Sequence, residues 1–372
     1  MRNLFLLAVL LLTTSRALAQ APILSDQASF RLVEFAVGLD HPWGGTFLPD
    51  GRLLVTERPG RMRLVGRDGN LSAPLTGVPA VVSGGQAGLF DVALAPDFAT
   101  TRELYFCQAA QVTGGVLTRL VRARLGADGT AVEDATPILD ATPPQAQGRN
   151  HFGCRIAFAP DGTLFLSTGE RFINNMRAQQ LDDLAGKVLR LARDGTVPPD
   201  NPFLGRPNVR PEIFSYGHRN PQGLAINPWT GSLWQAELGP RGGDEINIIR
   251  PGRNYGWPVV TEGTDYDQSE ISKDASQSDT EEPAHYWVPS VSPSGIAFYS
   301  KDAFPGWRGS LFVACLNPPG LVRLSTEGDE VTGEERLLWR QVRFRHVLQG
   351  PEGFLYILTD ETRGRILRLE PG

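Results

Sequence analysis

Leu48-Pro49-Asp50-Gly51-Arg52-Leu53-Leu54-Val55 is an apolar run, a Pro-Asp-Gly turn and a second apolar run, and the same phrase returns along the chain. It reads Ala159-Pro160-Asp161-Gly162-Thr163-Leu164-Phe165-Leu166, then Asn227-Pro228-Trp229-Thr230-Gly231-Ser232-Leu233-Trp234, then Gly350-Pro351-Glu352-Gly353-Phe354-Leu355-Tyr356-Ile357. Two looser copies run from residues 94–98 into Leu104-Tyr105-Phe106 and from residues 295–298 into Leu311-Phe312-Val313. Each copy carries the signature of a β-hairpin. The matching leucines stand at 53, 104, 164, 233, 311 and 355, with successive gaps of 51, 60, 69, 78 and 44. A hairpin recurring at this spacing leaves room for two further strands per unit. The pattern predicts an all-β chain folded as a six-bladed β-propeller of four-stranded antiparallel blades.

Composition agrees with a turn-rich β chain. Of 372 residues, 41 are Gly and 29 Pro without a short period, while 41% are hydrophobic, which is enough to build a core. The net charge of −5 gives no reason to expect nucleic acid or an anionic membrane as partner. Arg2, the apolar run at residues 4–12 and Ala17-Leu18-Ala19 have the layout of a secretory leader cut after Ala19. The run is too short for stable membrane insertion. The expectation is a leader at 1–19, a single propeller domain over 20–372, and a periplasmic or secreted product. Three cysteines, at 107, 154 and 315, allow at most one intramolecular pair and match no zinc spacing; buried free thiols are the expected reading. Residues 30–38 read as a strand that completes the last blade and closes the ring. Residues 178–190 read as a short helix, and the polar, acidic stretch 264–283 as a long exposed loop.

Four clusters carry polar residues that hairpin turns do not require. Asn150-His151 precedes the strand Ile156-Ala157-Phe158, and a histidine can act as a base near neutral pH. Gly217-His218-Arg219-Asn220-Pro221-Gln222-Gly223 offers a guanidinium and two amides close together, suited to a planar anion. Glu237-Leu238-Gly239-Pro240 with Gly243-Asp244-Glu245-Ile246-Asn247, followed by Asn254-Tyr255-Gly256-Trp257-Pro258, supplies carboxylates and turn carbonyls, the hard oxygen donors that calcium requires. Arg343-Phe344-Arg345 places two cations on one face of a strand. Each cluster taken alone also has a structural reading, as a core histidine, a capped turn or a solvated face. In a propeller, however, loops at one end of the blades converge on the axis. His151, Arg219 and Arg345 lie at or near inner-strand candidates of three blades, so a shared site for a multiply charged anion and a polar substrate is expected.

At these residues the chain resembles the soluble pyrroloquinoline quinone (PQQ)-dependent aldose sugar dehydrogenases of the glucose/sorbosone dehydrogenase family. The resemblance also rests on Gly84-Gly85-Gln86-Ala87-Gly88-Leu89-Phe90-Asp91-Val92 and covers nearly all of the mature chain. It implies a six-bladed propeller that oxidises aldoses at the anomeric carbon to lactones. It matches His151 to the catalytic base, and Gln86, Arg219, Asn220, Gln222, Arg343 and Arg345 to positions around the quinone, with Arg219 also stabilising charge that develops there. Tyr266 falls in the loop that carries a quinone-contacting tyrosine. Gly239 and Pro240 match carbonyls that hold a calcium at the quinone, and Glu245 and Tyr255 match a second, structural calcium, Tyr255 through its carbonyl.

Two positions depart from the family pattern. Asn317 stands where a quinone-binding lysine is expected. Asn150 replaces a carboxylate beside the histidine, so His151 is expected to lean on Glu170 or a backbone carbonyl. No CxxCH haem site is present, so electrons must leave to an external acceptor such as a dye, a quinone or a cytochrome. Two other readings share the fold. A non-catalytic, calcium-stabilised propeller similar to Hedgehog-interacting proteins would keep the calcium loop and lose the quinone site. A calcium propeller lactonase would need carboxylates and Asn around an axial ion, which the arginine-rich set fits poorly.

Overall fold

In a computed structural model of the chain, residues 21–272 and 278–372 are described, and the leader expected at 1–19 lies outside them. Six antiparallel sheets follow one another in chain order. The first blade is Pro42–Phe47, Leu53–Glu57 and Arg61–Val65. The second is Leu89–Leu94, Glu103–Val112, Gly115–Leu125 and Val132–Asp140; the third is Gly153–Phe158, Leu164–Thr168, Lys187–Leu191 and Ile213–Tyr216. The fourth is Pro221–Ile226, Leu233–Glu237, Asp244–Ile249 and His285–Trp287; the fifth is Pro293–Phe298, Leu311–Leu316, Pro319–Glu327 and Glu330–Leu337. The sixth joins Phe344–Gln349, Leu355–Thr359 and Gly364–Pro371 to the N-terminal strand Ser29–Leu39, with Ile23–Leu24 added at its edge.

The recurring phrase is the hairpin between the first two strands of each blade. Its turn needs a left-handed residue, and Gly51, Gly162, Gly231 and Gly353 supply it at φ +85, +85, +77 and +95°. The Asp side chain fixes the turn, Asp50 and Asp161 accepting from the amides two residues on at 3.0 and 2.9 Å. All six repeat leucines open or lie in second strands and are at most 4% exposed. Each of six apolar clusters fills one interface between neighbouring blades. Between the fifth and sixth blades, for example, Trp307, Phe312 and Leu321 meet Phe344, Leu355, Leu367 and Phe30.

The ring closes as the sequence leads one to expect. Ser29–Leu39 pairs antiparallel with Gly364–Pro371, from Phe30 opposite Pro371 to Leu39 opposite Gly364. Among the described residues the first blade has three strands; the chain then crosses to the second blade, where Thr76 bridges Ala131, and delivers Gln86. The longest leucine gap holds the loop 264–283, inserted before the outer strand of the fourth blade.

Two expectations are corrected. Residues 178–190 are not a helix: a 3-10 turn covers Asn175–Gln179 and the strand Lys187–Leu191 begins soon after, because the buried side chains of that strand are needed in the core of the third blade. The cysteines are not all free. Cys107 on the second strand of blade two and Cys154 on the inner strand of blade three form a disulfide, Cα to Cα 6.0 Å, while Cys315 is buried and free. The two blades pack face to face there, which spacing along the chain does not reveal.

Non-reducing peptide mapping should recover Cys107 linked to Cys154, with Cys315 unreactive to maleimide until the chain unfolds. Replacing both bridged cysteines by Ser should lower stability by about 2–4 kcal/mol in denaturant titration, since the bridge restrains the unfolded chain.

Candidate functional site

Every inner strand begins with an irregularity in its pairing to the second strand, at residues 42–45, 89–92, 153–156, 221–223, 293–296 and 344–346. Such bulges bend the strand and re-aim the side chains around them. The candidate residues sit at this same end of the ring, so five separate blades, the second to the sixth, present them to one place.

His151 stands two residues before the inner strand of blade three, with φ +50°. Its backbone amide donates to Gln86 Oε1 at 2.9 Å, and its ring Nδ1 lies 3.0 Å from both oxygens of Glu170. A carboxylate accepts, so Nδ1 carries the proton and Nε2 is left as the basic nitrogen. Of the two supports expected for His151, the carboxylate of Glu170 is the one present. Burial pulls the His151 pKa below the ordinary value; Glu170 opposes this, and the charges of Arg219 and Arg171 add to it. Neighbouring Arg171 is itself buried and donates to the carbonyls of Asn150 and Val116 at 3.1 and 2.8 Å, its guanidinium 3.7 Å from the Phe152 ring centre. That clamp holds the backbone on either side of the histidine.

Arg219 precedes the inner strand of blade four. Its guanidinium donates to the carbonyls of Leu238 and Gly239 at 3.0 and 2.9 Å and to the Tyr266 hydroxyl at 3.1 Å, while its Nε is buried without a partner among the described residues. The turn that carries Gly239 and Pro240 is held by Asp244, which accepts from the amides of Gly239, Val291 and Ser292 at 2.7 Å and from the Ser290 hydroxyl. Asn220 Oδ1 accepts from the Gly153 amide at 3.1 Å, tying blades three and four.

From blade six, Arg345 donates to Gln222 Oε1 at 2.6 Å and to Asp360 Oδ2 at 2.9 Å, and Arg343 reaches the same Asp360 oxygen at 3.0 Å. The Nε of Arg345 is buried and has no partner among the described residues. Burial would raise the Asp360 pKa, but the two arginines outweigh it and hold the carboxyl well below its usual range. A cavity of about 1070 Å³ joins these groups. Among the expected residues, Gln86, Asn220, Gln222, Gly239, Pro240, Tyr266, Asn317, Arg343 and Arg345 line it. Arg219 and His151 adjoin it through Tyr266 and Gln86. The wall also contains Trp43, Arg58 and Asp360, which the sequence reading did not single out. Asp360 had a signal: it follows the second strand of the last hairpin, just as Glu170 follows that of the third.

Glu245 and Tyr255 lie apart from the cavity wall, behind the Gly239 turn. Burial, and then the charge of Glu237, push the Glu245 pKa well up, and among the described residues no Arg or Lys pairs with it. The Tyr255 hydroxyl donates to the Ile248 carbonyl at 2.6 Å and its ring stacks on His218, so its side chain is already committed. Among the described residues there is no group of three or more His, Cys, Asp or Glu positioned to hold a metal. Any cation here would rely on backbone carbonyls with Glu245 and the neighbouring Glu237.

Comparison with known proteins places the site in context. The glucose / sorbosone dehydrogenase family model matches residues 39–368. The aldose sugar dehydrogenase YliI of Escherichia coli is 45% identical over 340 residues, spanning 90% of this chain and 91% of that protein. A solved glucose dehydrogenase superposes with a TM-score of 0.90 at 47% identity, covering 92% of this chain and 100% of its own. The PQQ-bound form of an aldose sugar dehydrogenase from Streptomyces coelicolor gives 0.78 at 31%, covering 94% and 99%.

Two buried histidines contribute to the response to acid. His346, pressed by burial and by Arg155 and Arg345, has a pKa well below the ordinary value, as His151 does less strongly. At these two sites the unfolded chain therefore takes up protons before the folded one, and their contribution to stability falls as pH drops below about 6.5, by up to about 1.4 kcal/mol per pH unit per histidine, while the raised carboxyl of Glu245 works in the opposite sense. Denaturant midpoints from pH 7 to 5 should show this slope, and His346→Gln should remove its share.

Proposed function

The chain belongs to the glucose/sorbosone dehydrogenase family, and we propose that it is an exported, PQQ- and calcium-dependent enzyme that oxidises aldose sugars at the anomeric carbon to lactones. One observation carries this reading: a large cavity gathers arginine donors and amides beside a histidine that a carboxylate holds in its basic form. The unpartnered Nε atoms of Arg219 and Arg345 are buried donors that call for an anionic acceptor. Together with Arg343, Gln222, Asn220 and Gln86 they suit a planar group with several carboxylates.

When bound, PQQ supplies the two-electron acceptor and calcium a Lewis acid beside it. Arg343, Arg345 and Arg219 would hold the quinone, and the carbonyls of Gly239 and Pro240 the ion. Glu245, short of a cationic partner, would take a second, structural calcium with the Tyr255 carbonyl. His151 removes the anomeric hydroxyl proton through Nε2 while the C1–H bond breaks and the lactone C=O forms. Glu170 orients the ring and stabilises the imidazolium that results. The lowered His151 pKa keeps the base neutral at pH 7. Electrons then pass to an external dye, quinone or cytochrome. The leader expected at 1–19 and the Cys107–Cys154 bridge both favour an oxidising compartment, periplasmic or extracellular, with one propeller as the mature domain. A lactonase with axial calcium is disfavoured, because Arg155 and Asp91 fill the axis.

Dye-linked oxidation of a sugar panel with calcium, with and without added PQQ, tests the reading. Activity should require PQQ, and His151→Ala should lower kcat by about 10²–10⁴-fold while PQQ still titrates in absorbance. Asn317→Lys should tighten PQQ about tenfold or more, through one added charged hydrogen bond. Failure of the wild type to bind PQQ would leave a binding propeller.

A further inference from the structure

Phe172 is an exposed aromatic in a position that packing does not explain. Its side chain belongs to a residue that is 42% exposed, yet its ring meets His151 edge to face, with centroids 5.1 Å apart and planes at 80°. Across from it, Tyr266, 54% exposed, lies 6.4 Å away with its hydroxyl on Arg219. The two rings thus flank the pair of side chains to which the chemistry is assigned.

The backbone supplies a second, independent observation. Arg171 and Phe172 both adopt left-handed conformations, φ +75 and +74°, which bulky residues rarely hold. The strained turn is fixed by the Phe172 amide, which donates to Glu170 Oε2, an oxygen of the same carboxylate that holds His151. One carboxylate therefore locks the base and the aromatic ring as a unit. Glycine or asparagine would fit this backbone at lower cost. Strain kept for a half-exposed ring at the mouth of a polar cavity points to a ligand-facing role.

We propose that Phe172 is a specificity-determining residue, forming with Tyr266 the aromatic wall that receives the C–H face of an aldopyranose and sets its C1 hydroxyl against His151. This rests on the sugar-oxidising reading above and deepens it. A pyranose presents axial C–H groups on its faces and hydroxyls at its rim, so an aromatic face takes the first while the cavity amides take the second. An epimer that turns one hydroxyl axial spoils the stacked face, and the wall thereby selects among aldoses.

The test compares the wild type with Phe172→Gly, Phe172→Tyr and Phe172→Trp. Glycine should leave the melting temperature unchanged or higher, because strain is relieved and little packing is lost. It should leave PQQ titration unchanged, raise KM for glucose at least tenfold with a smaller change in kcat, and shrink the discrimination among glucose, mannose and galactose at least fivefold. Tyrosine and tryptophan should restore most of the affinity. Saturation-transfer NMR with 1,5-anhydroglucitol, which has no C1 hydroxyl to oxidise, should show binding to the wild type that glycine abolishes. A destabilised glycine variant would mean the ring serves packing, and an unchanged KM or a loss confined to kcat would mean it acts only through His151; each overturns the proposal. If the wild type oxidises no sugar with PQQ, the proposed function fails, and the NMR comparison still decides the wall: equal signals in both proteins sink it.

Discussion

A single buried ion pair on the propeller axis connects four of the six blades. Arg155, 1% exposed, meets Asp91 at 2.9 Å, joining blades three and two. Its Nε donates to the Gln222 carbonyl of blade four at 2.6 Å, and its Nη2 lies 3.3 Å from the Arg345 carbonyl of blade six. The remaining blades make room. A side chain at Gly44 of blade one would collide with Asp91, and one at Gly295 of blade five with His346 and the Arg155 guanidinium. Trp43 covers the pair from the cavity side, its ring centre 4.1 Å from the guanidinium carbon. Burial raises the Asp91 pKa and lowers that of Arg155 to about 10, so attraction between the partners does not fully recover their desolvation. The pair is weak evidence for stability. Its consequence is geometric: it fixes how far each inner strand approaches the axis, and hence where Gln222, Arg345 and Trp43 stand in the floor of the cavity.

The charge pattern above that floor follows a similar logic. Arg343 and Arg345 share Asp360, which cancels part of their charge and holds them side by side. Two guanidiniums brought together without a carboxylate would repel and splay. An anion entering the cavity meets donors that are already oriented, at the cost of competing with Asp360. Arg219 is arranged differently: its fork is spread over two turn carbonyls and a phenol, and Asp244 fixes the turn that carries one of those carbonyls. The site is preorganised by carboxylates that sequence motifs mark only as turn residues.

The fold was readable because each hairpin repeats a local cause. A left-handed glycine, an Asp bonding its own turn and a buried leucine two residues after the glycine need no knowledge of the rest of the chain, and the closing strand read at 30–38 stood out as unclaimed by any repeat. What escaped depends on contacts between repeats. The bulges at the inner-strand starts arise from convergence on the axis. The Cys107–Cys154 bridge spans two blades, and Asp360 finds Arg343 only through sheet register. Residues 178–190 misled because Leu184, Ala185, Val188 and Leu189 are apolar at spacings compatible with a helix, while the blade demands a strand that is buried on both faces. The candidate residues themselves were legible as motifs, and nine of them share the cavity wall; their mutual geometry was not.

Backbone strain gathers where the chemistry is assigned. His151, Cys154, Arg171 and Phe172 all have positive φ, and they lie together at the open end of the first hairpin of blade three, opposite its turn. Each such residue costs roughly 1–3 kcal/mol when its surroundings force it. The surroundings that do so here are identifiable: Gln86 on the His151 amide, Glu170 on its ring and on the Phe172 amide, Arg171 on the carbonyls of 116 and 150, and the disulfide at Cys154. Relaxed to ordinary dihedrals, this end of the hairpin would turn the imidazole away from the cavity edge. The third blade therefore gives up local stability to hold one nitrogen in place, and the inter-blade cores carry the load that makes this possible.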